Sequence, residues 1–139
     1  MSVLVDSNVI LDIVTNDPNW FNWSATKLAE YSERDALVIN PIIYAEVSIG
    51  FEQVEELNAV LPTEFFERAA LPYEAAFLAG KCFLEYRRRG GNRRSPLPDF
   101  YIGAHAAVAG MALLTRDHDR YQTYFPNLQI ITPETEPIL

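Results

Sequence analysis

The sequence predicts a three-layer α/β/α fold, with helices covering both faces of a central parallel sheet. Apolar runs of strand length lie at residues 2–5, 36–39, 111–114 and 129–131, and segments of helical character separate them. This alternation is typical of parallel sheets. The 139 residues match one ordinary domain and contain no evident repeat or linker, so we expect a single domain over 1–139.

The first half of the chain carries clear start and stop signals. Asn8 is expected to cap the first helix. Asn40 and Pro41 predict a helix start, because proline at the first helical position loses no hydrogen bond. The predicted elements are strand 2–5, helix 8–14, helix 22–34, strand 36–39 and helix 42–49.

The second half continues the alternation. Gly90 and Gly91 should end the long helix that begins at Tyr73, and a polar, basic, mobile loop is predicted at 92–98. The predicted elements are helix 52–61, a strand or extended segment at 65–71, helix 73–88, helix 100–110, strand 111–114, a helical turn at 119–125 and strand 129–131. The apolar side of helix 73–88 is expected to comprise Ala76, Phe77, Gly80, Phe83 and Leu84.

Composition excludes several classes of protein. No apolar run approaches the ~18 residues of a membrane span, and the first residues lack the pattern of a signal peptide, so we expect a cytoplasmic protein with no membrane contact. Cys82 is the only cysteine, which excludes an intrachain disulfide and a multi-thiolate zinc site. We expect it to be an inert buried thiol in a helix.

Four acidic residues occupy unusual positions. Asp6 and Asp117 follow buried strands, and the carboxyl ends of parallel strands meet at one edge of the sheet. Glu46 lies on the apolar face of a short helix, and Asp99 lies in the first turn of another. If the four converge, their mutual repulsion calls for a cation, and oxygen ligands favour Mg²⁺ or Mn²⁺.

Each acid also has a structural interpretation. Asp6, Asp99 and Asp117 are each compatible with a helix cap or a dipole partner, and Arg116 or Arg120 is a possible partner for one acid. Asp119 competes with Asp117 for the fourth place. We expect His105 to be a packing residue and His118 to be exposed. The acids expected to be solvated or paired at the surface are Asp12, Asp119, Glu74 and Glu85.

The charge distribution leaves room for an anionic partner. The net charge of −8 argues against nucleic acid, yet five of the eleven basic residues fall within residues 87–94. Arginine binds phosphate bidentately. The candidate phosphate contacts are Arg87, Arg88, Arg89, Arg93 and Arg94, and the alternative for them is a solvated helix end.

With these residues in place, the sequence resembles the PIN-domain family and, within it, the VapC-type ribonuclease toxins. The resemblance covers nearly the whole chain, and its specificity comes from four short motifs in order. These motifs are Val5-Asp6-Ser7-Asn8-Val9-Ile10, Tyr44-Ala45-Glu46-Val47, Pro98-Asp99-Phe100-Tyr101-Ile102 and Leu113-Leu114-Thr115-Arg116-Asp117.

The resemblance implies a metal-dependent ribonuclease that acts on structured RNA such as transfer or ribosomal RNA. Its acidic residues would be Asp6, Glu46, Asp99 and Asp117, with one or two Mg²⁺ or Mn²⁺ ions held by Asp6, Asp99 and Asp117. The accompanying polar positions are Ser7, Asn8 and Thr115. It further implies a homodimer, in which the arginines of residues 87–94 are alternative contacts for the acidic face of the other subunit. It also implies an antitoxin, and the aromatic pairs Trp20-Phe21 and Phe65-Phe66 are candidate contacts for it.

Two other interpretations of the acids remain open. A phosphotransferase or receiver domain also places an aspartate after its first strand, but it needs a nearby lysine, and Lys27 and Lys81 both lie within predicted helices. A non-catalytic PIN-like module that binds RNA or protein is the alternative function.

Overall fold

The computed structural model describes residues 1–94 and 97–138. Five short strands and seven helices alternate along most of this part of the chain. In order they are β1 (Ser2–Val5), α1 (Ser7–Val14), α2 (Phe21–Arg34), β2 (Ala36–Ile39), α3 (Pro41–Ser48), α4 (Val54–Val60), β3 (Phe66–Arg68), α5 (Tyr73–Arg88), α6 (Pro98–Ala109), β4 (Ala112–Leu114), α7 (His118–Tyr124) and β5 (Ile130–Ile131).

The strands form one sheet in the order β3-β2-β1-β4-β5, and every pairing is parallel. The predicted α/β class with a central parallel sheet is therefore confirmed. The chain first builds the sheet to one side of β1 and then crosses to add β4 and β5 on the other. Ligands of open α/β sheets bind at such a reversal of strand order, beyond the carboxyl ends of the strands.

The sheet forms because its strands are apolar on both faces. Val3, Leu4 and Val5 are at most 1 % exposed, and all three residues of β4 are buried as well. Helices cover these strands, as continuous apolar runs in parallel sheets require. Since Val5 pairs with Leu114, the residues that follow them, Asp6 and Thr115, leave the core side by side.

The cap of α1 differs from the prediction. Asp6, and not Asn8, is the N-cap: its backbone is extended and its carboxylate accepts a hydrogen bond from the Ser7 amide at 2.8 Å. Asn8 lies inside the first turn, which frees its side chain for contacts elsewhere. At α3 the prediction is confirmed, because Asn40 accepts from the Ile43 amide at 2.9 Å and Pro41 follows it.

The apolar face predicted for α5 is wrong. The buried residues of this helix are Ala75, Ala79 and Cys82, whereas Phe77 is 68 % exposed and Leu84 is 43 % exposed. Small side chains allow α5 to pack closely against its neighbours. Leu78, Phe83 and Tyr86 are partly buried against the core, and the large side chains on the outer surface are Tyr73, Phe77 and Leu84.

The link from α5 to α6 is described only in part. Residues 92–94 belong to no helix or strand, and Gly90 has a φ of 97°, which favours glycine at the predicted helix end. Ser95 and Pro96, in the loop predicted at 92–98, lie outside the described residues. Within the ranges given above, no helix combines the length and apolar character needed to cross a bilayer.

Candidate active site

Asp6 is the most buried acid at the carboxyl edge of the sheet. It is 3 % exposed, and its Oδ2 accepts hydrogen bonds from the Thr115 hydroxyl at 2.8 Å and the Tyr121 hydroxyl at 2.9 Å. Burial raises the pKa of Asp6 to about 6, and the charge of Asp99 adds to the rise while the hydrogen bonds oppose it. The fold thus holds a carboxylate in a place where its charge is poorly solvated.

Tyr121 joins Asp6 to Asp99. Its hydroxyl lies 2.9 Å from Asp6 Oδ2 and 3.2 Å from Asp99 Oδ1, and the residue is 1 % exposed. A hydroxyl has one proton, so Tyr121 donates to one of these carboxylates at a time. Burial, together with both negative charges, raises the pKa of Tyr121 well above its ordinary value.

Sequence reasoning missed Tyr121. One signal was present, since Tyr121 lies four residues after Asp117 and positions i and i+4 share a helix face. An aromatic residue at this position is usually interpreted as core packing, and this interpretation overlooks the hydroxyl that contacts Asp6 and Asp99.

Glu46 approaches the same edge from α3. Its Oε1 accepts a hydrogen bond from the Ser7 hydroxyl at 2.9 Å. Burial raises the pKa of Glu46, and the charge of Asp99 raises it further, although the Ser7 hydrogen bond acts in the opposite direction. The predicted burial of this mid-helix carboxylate is partial, because the residue is half-buried.

Asp117 is linked to the other acids through Asn8. The Asn8 amide lies 3.3 Å from both Asp117 Oδ2 and Thr115 Oγ1, and the Asp117 backbone amide donates to Thr115 at 3.1 Å. Asp119, the competing acid, has a fully exposed side chain that faces His118. The structure thus brings Asp117 into the acidic network, where Asp119 has no contact.

Arg120 lies among the acids. Its Nη1 is 2.6 Å from Asp99 Oδ2 and 3.9 Å from Asp117 Oδ2, and its side chain is 58 % exposed. The predicted pairing of an arginine with one acid is therefore confirmed for Arg120. The hydrogen bond and the charge of Asp99 raise the pKa of this guanidinium.

The donor set fits a hard divalent cation in chemistry, because every acid offers only carboxylate oxygen. In the arrangement of residues 1–94 and 97–138, however, no three acidic, histidine or cysteine side chains are grouped closely enough to hold an ion. Arg120 occupies one oxygen of Asp99, and Tyr121 approaches the other. A bound ion would therefore require Arg120 to turn away from Asp99.

The predicted surface position of Asp12 is wrong. It was expected at the surface, but it is 2 % exposed and is held by Arg116, whose Nε and Nη2 lie 2.7 Å and 3.0 Å from its two oxygens. Ser24 of α2 donates to the same carboxylate at 2.6 Å. This bidentate pair connects α1, α2 and the loop after β4, so its role is to hold elements together.

The arginines of residues 87–94 do not form one patch directed at the acids. Arg87 donates to the Arg93 carbonyl at 2.8 Å, and Arg89 pairs with Glu85 at 2.6 Å. Arg93 lines a cavity together with Glu46 and Asp99, whereas Arg88 and Arg94 are exposed and do not line it.

The histidines and the cysteine lie mostly as expected. His105 is buried, and its Nδ1 lies 2.9 Å from the Asn40 amide, which fits a packing residue. Burial lowers the pKa of His105. Cys82 is a buried free thiol in α5, as predicted. His118 is partly buried and not fully exposed.

Comparisons with known proteins agree with this architecture. The chain superposes on VapBC-1 from nontypeable Haemophilus influenzae with a TM-score of 0.72 and 24 % identity, covering 95 % of this chain and 98 % of that one. For VapBC2 from Rickettsia felis bound to a promoter DNA fragment, the TM-score is 0.72, the identity 18 % and the coverage 95 % and 98 %. For FitAcB from Neisseria gonorrhoeae, the TM-score is 0.69 and the identity 18 %, and the match covers 96 % of this chain and 99 % of that one.

These likenesses to solved structures concern the fold. A search of curated proteins finds no significant match. The family model described as the PIN domain matches residues 3–126, which span all four acids and most of the chain. On this match and on the parallel sheet with its acidic edge, the chain belongs to the PIN domain family.

Proposed function

We propose that this protein is an endoribonuclease that hydrolyses phosphodiester bonds in structured RNA, such as transfer or ribosomal RNA, with Mg²⁺ or Mn²⁺ as its cofactor. The observation that carries the proposal is the network at the carboxyl edge of the sheet, where hydroxyl and amide groups join Asp6, Glu46, Asp99 and Asp117. Acids with only oxygen donors, at the usual ligand position of an α/β sheet, suit metal-assisted hydrolysis.

The proposed site contains carboxylates that bind the cations and polar side chains that orient these carboxylates. Asp6, Asp99 and Asp117 are the proposed ligands of one or two ions, with Glu46 as a ligand directly or through water. Bound there, a divalent ion would lower the pKa of a coordinated water and offset the charge of the scissile phosphate.

The remaining polar residues orient these carboxylates. Ser7 holds Glu46 through a 2.9 Å hydrogen bond, and Thr115 and Tyr121 hold Asp6. Asn8 fixes Asp117. Because each hydroxyl is itself buried or anchored by the fold, the carboxylates meet an incoming cation with little freedom to reorient.

Cleavage of RNA by the purified protein tests the proposal. We expect Mn²⁺- or Mg²⁺-dependent cleavage of transfer or ribosomal RNA, with a loss of at least 100-fold in Asp6→Asn and Asp99→Asn. Asp119→Asn is the matched control, because it removes an exposed carboxylate outside the network. If folded wild-type protein leaves a broad RNA panel intact, or if the two variants cleave as fast as wild type, the nuclease is excluded and the non-catalytic binding module stands.

We further propose that the protein is the toxin of a toxin–antitoxin pair. The solved neighbours include complexes described as VapBC and as a toxin–antitoxin complex from Klebsiella pneumoniae. An apolar groove of about 650 Å³ supports the proposal of an antitoxin partner, and residues of α1, α2 and α4, together with the segment that leads into β3, line it. Its lining includes Ile10, Ile13, Leu28, Val60 and Phe65.

This groove is suited to the apolar face of a helix from the partner. Phe65 is 42 % exposed there, whereas Phe66 is 4 % exposed, so only the first of this predicted aromatic pair offers a large contact surface. Because Arg120 already places a guanidinium 2.6 Å from Asp99, a basic residue from a partner would have to replace Arg120 to reach this acid.

Co-purification tests the antitoxin assignment. A protein encoded beside this gene should form a complex with wild type and lose affinity at least tenfold for Ala29→Glu, which places a charge in the groove. Val108→Glu on α6, an exposed position that does not line the groove, should leave the complex intact. Equal affinity for both variants would remove the groove from the interface.

A further inference from the structure

A second cavity opens beside the acidic network. It has a volume of about 400 Å³ and is lined by residues of α3, α5, α6, α7 and the described part of the loop before α6. Glu46 and Asp99 contribute to one part of its wall, so the cavity is continuous with the candidate active site. Its volume falls in the range of ~300–1,000 Å³ that is usual for small-molecule sites.

The charged groups of this cavity suit a phosphate only when a cation is bound. Two acids, Glu46 and Asp99, are balanced by two arginines, Arg93 and Arg120. A divalent ion on the acids would leave the cavity net positive and would release Arg120 from its 2.6 Å contact with Asp99. Both guanidinium groups would then be available to phosphate oxygens.

Aromatic rings form another part of the wall. Tyr86 and Tyr124 both line the cavity, and the ring of Phe100 lies between them, with centroid distances of 5.8 Å to Tyr86 and 5.0 Å to Tyr124. The Arg89 guanidinium lies 5.4 Å from the Tyr124 centroid. Aromatic and guanidinium surfaces of this kind stack on unpaired nucleobases.

The backbone of the arginine-rich segment is shaped to this wall. A Cβ at Gly91 would lie 2.2 Å from the Tyr86 ring, so only glycine lets the segment pass this close to the aromatic surface. Arg87 then donates to the Arg93 carbonyl, which holds Arg93 near the cavity. Among the five arginines of residues 87–94, Arg93 is therefore the one positioned beside the acids.

From these contacts we infer that the cavity is a nucleotide subsite, which takes one unpaired nucleotide of the RNA next to the scissile phosphate. Arg93 and Arg120 contact the phosphates, and the rings of Tyr86 and Tyr124 form the wall against which the base lies. This inference rests on the proposed nuclease function and adds to it a requirement for a nucleotide that is unstacked at the cleavage point.

Nucleoside monophosphates test the subsite, because they carry a base and a phosphate but contain no bond for the nuclease to cut. Binding of AMP, CMP, GMP and UMP is measured by protein-observed NMR in Mg²⁺ buffer, with ribose 5-phosphate as the probe that lacks a base. At least one monophosphate should bind fivefold or more tightly than ribose 5-phosphate. Equal binding of all five probes, or binding of none, would overturn the subsite.

Single substitutions test which side chains of the cavity contact the nucleotide. Arg93→Gln and Arg120→Gln should each weaken binding of the preferred monophosphate at least fivefold, and Arg94→Gln, an exposed neighbour outside the cavity, should change it less than twofold. Tyr124→Leu should abolish the preference for a base while leaving ribose 5-phosphate unaffected. If Arg93→Gln and Arg94→Gln weaken binding equally, the attraction is general electrostatics and the assignment fails.

The RNA cleavage assay separates failure of the subsite from failure of the proposed function. Wild-type cleavage with no base-dependent binding would leave the nuclease intact and remove the subsite. Base-dependent binding without cleavage of any RNA would remove the nuclease and with it the substrate role of the cavity.

Discussion

Asp6 carries a charge in a place that water scarcely reaches. Its pKa rises to about 6 because burial disfavours the ionised form more than the hydrogen bonds from Thr115 and Tyr121 favour it. At neutral pH the folded protein therefore bears a cost for keeping this carboxylate ionised. The cost is consistent with a residue held for binding a cation.

Replacing Asp6 should separate stability from function. In EDTA at pH 7, Asp6→Asn should raise the free energy of unfolding by about 1–3 kcal/mol, because a shift of one pKa unit corresponds to about 1.4 kcal/mol. The gain is smaller than the full pKa shift gives, since both Asp6 oxygens accept hydrogen bonds and the amide turns one of these acceptors into a donor. Chemical denaturation measures the difference, with Asp119→Asn as the exposed control. A destabilised Asp6→Asn would mean that the hydrogen bonds outweigh the buried charge.

Arg120 should compete with a metal ion. Arg120→Gln removes a guanidinium from 2.6 Å of Asp99, so we expect Mn²⁺ to bind roughly three- to tenfold more tightly, in line with the modest energy of an exposed ion pair. Calorimetric titration of metal-free protein gives the affinity. Arg94→Gln should match wild type, and unchanged or weaker binding in Arg120→Gln would show that Arg120 does not oppose the ion.

At the level of elements, local sequence signals predicted where a helix begins better than they predicted which of its faces is buried. Asn40 and Pro41 have a backbone consequence that holds in any tertiary context, so the start of α3 was predictable. The buried face of α5 was not, because Ala75, Ala79 and Cys82 are chosen by close packing, and larger residues such as Phe77 remain outside. Tyr121 and Asp12 were missed because their partners lie far along the chain.

The segment that follows β5 is tied to α2 by Glu136. Its carboxylate accepts from the Tyr31 hydroxyl at 2.6 Å and from Lys27 at 3.2 Å, and its carbonyl accepts from the Trp23 indole at 2.9 Å. Burial raises the pKa of Glu136, but the hydrogen bonds from Tyr31 and Lys27 outweigh burial and leave the pKa lowered.

This contact predicts a pH dependence. A lowered carboxyl pKa gives stability that is present above the unfolded value and is lost as the pH falls through the folded value. At pH 7, Glu136→Gln should lower the free energy of unfolding by about 1 kcal/mol, a figure discounted for partial exposure. The difference from wild type should shrink as the pH falls below the ordinary glutamate pKa of about 4.3 and through the lowered value in the folded protein. Thermal unfolding across pH 3–7 measures it. A difference that is constant with pH would exclude this role for the carboxylate.

For the whole molecule, the carboxyl edge of the sheet and the outer face of α5 are separate surfaces with different chemistry. The fold class and the acidic edge followed from strand ends, which are local features of the sequence. The hydroxyl groups of Thr115 and Tyr121 that hold Asp6 could not be predicted in this way. Their positions depend on how β4 aligns with β1, as in the pairing of Val5 with Leu114. Parallel pairing joins residues that the sequence separates widely.

We propose that the outer face of α5 mediates a homodimer. Tyr73, Phe77 and Leu84 are 92 %, 68 % and 43 % exposed, and their spacing places them along one side of the helix. Phe77→Glu should therefore shift the protein from dimer to monomer in light scattering at micromolar concentration. Val108→Glu, an exposed apolar position on α6, is the control. A dimer unaffected by Phe77→Glu would place the interface elsewhere.

The alignment of β4 with β1 has a consequence for protein synthesis. Thr115 and Tyr121, which hold the Asp6 carboxylate, are synthesised more than a hundred residues after Asp6. A growing chain therefore has no complete acidic edge until α7 has been translated. Under the proposed ribonuclease function, this delay would leave the nascent polypeptide without its complete acidic network while the residues before α7 are being made.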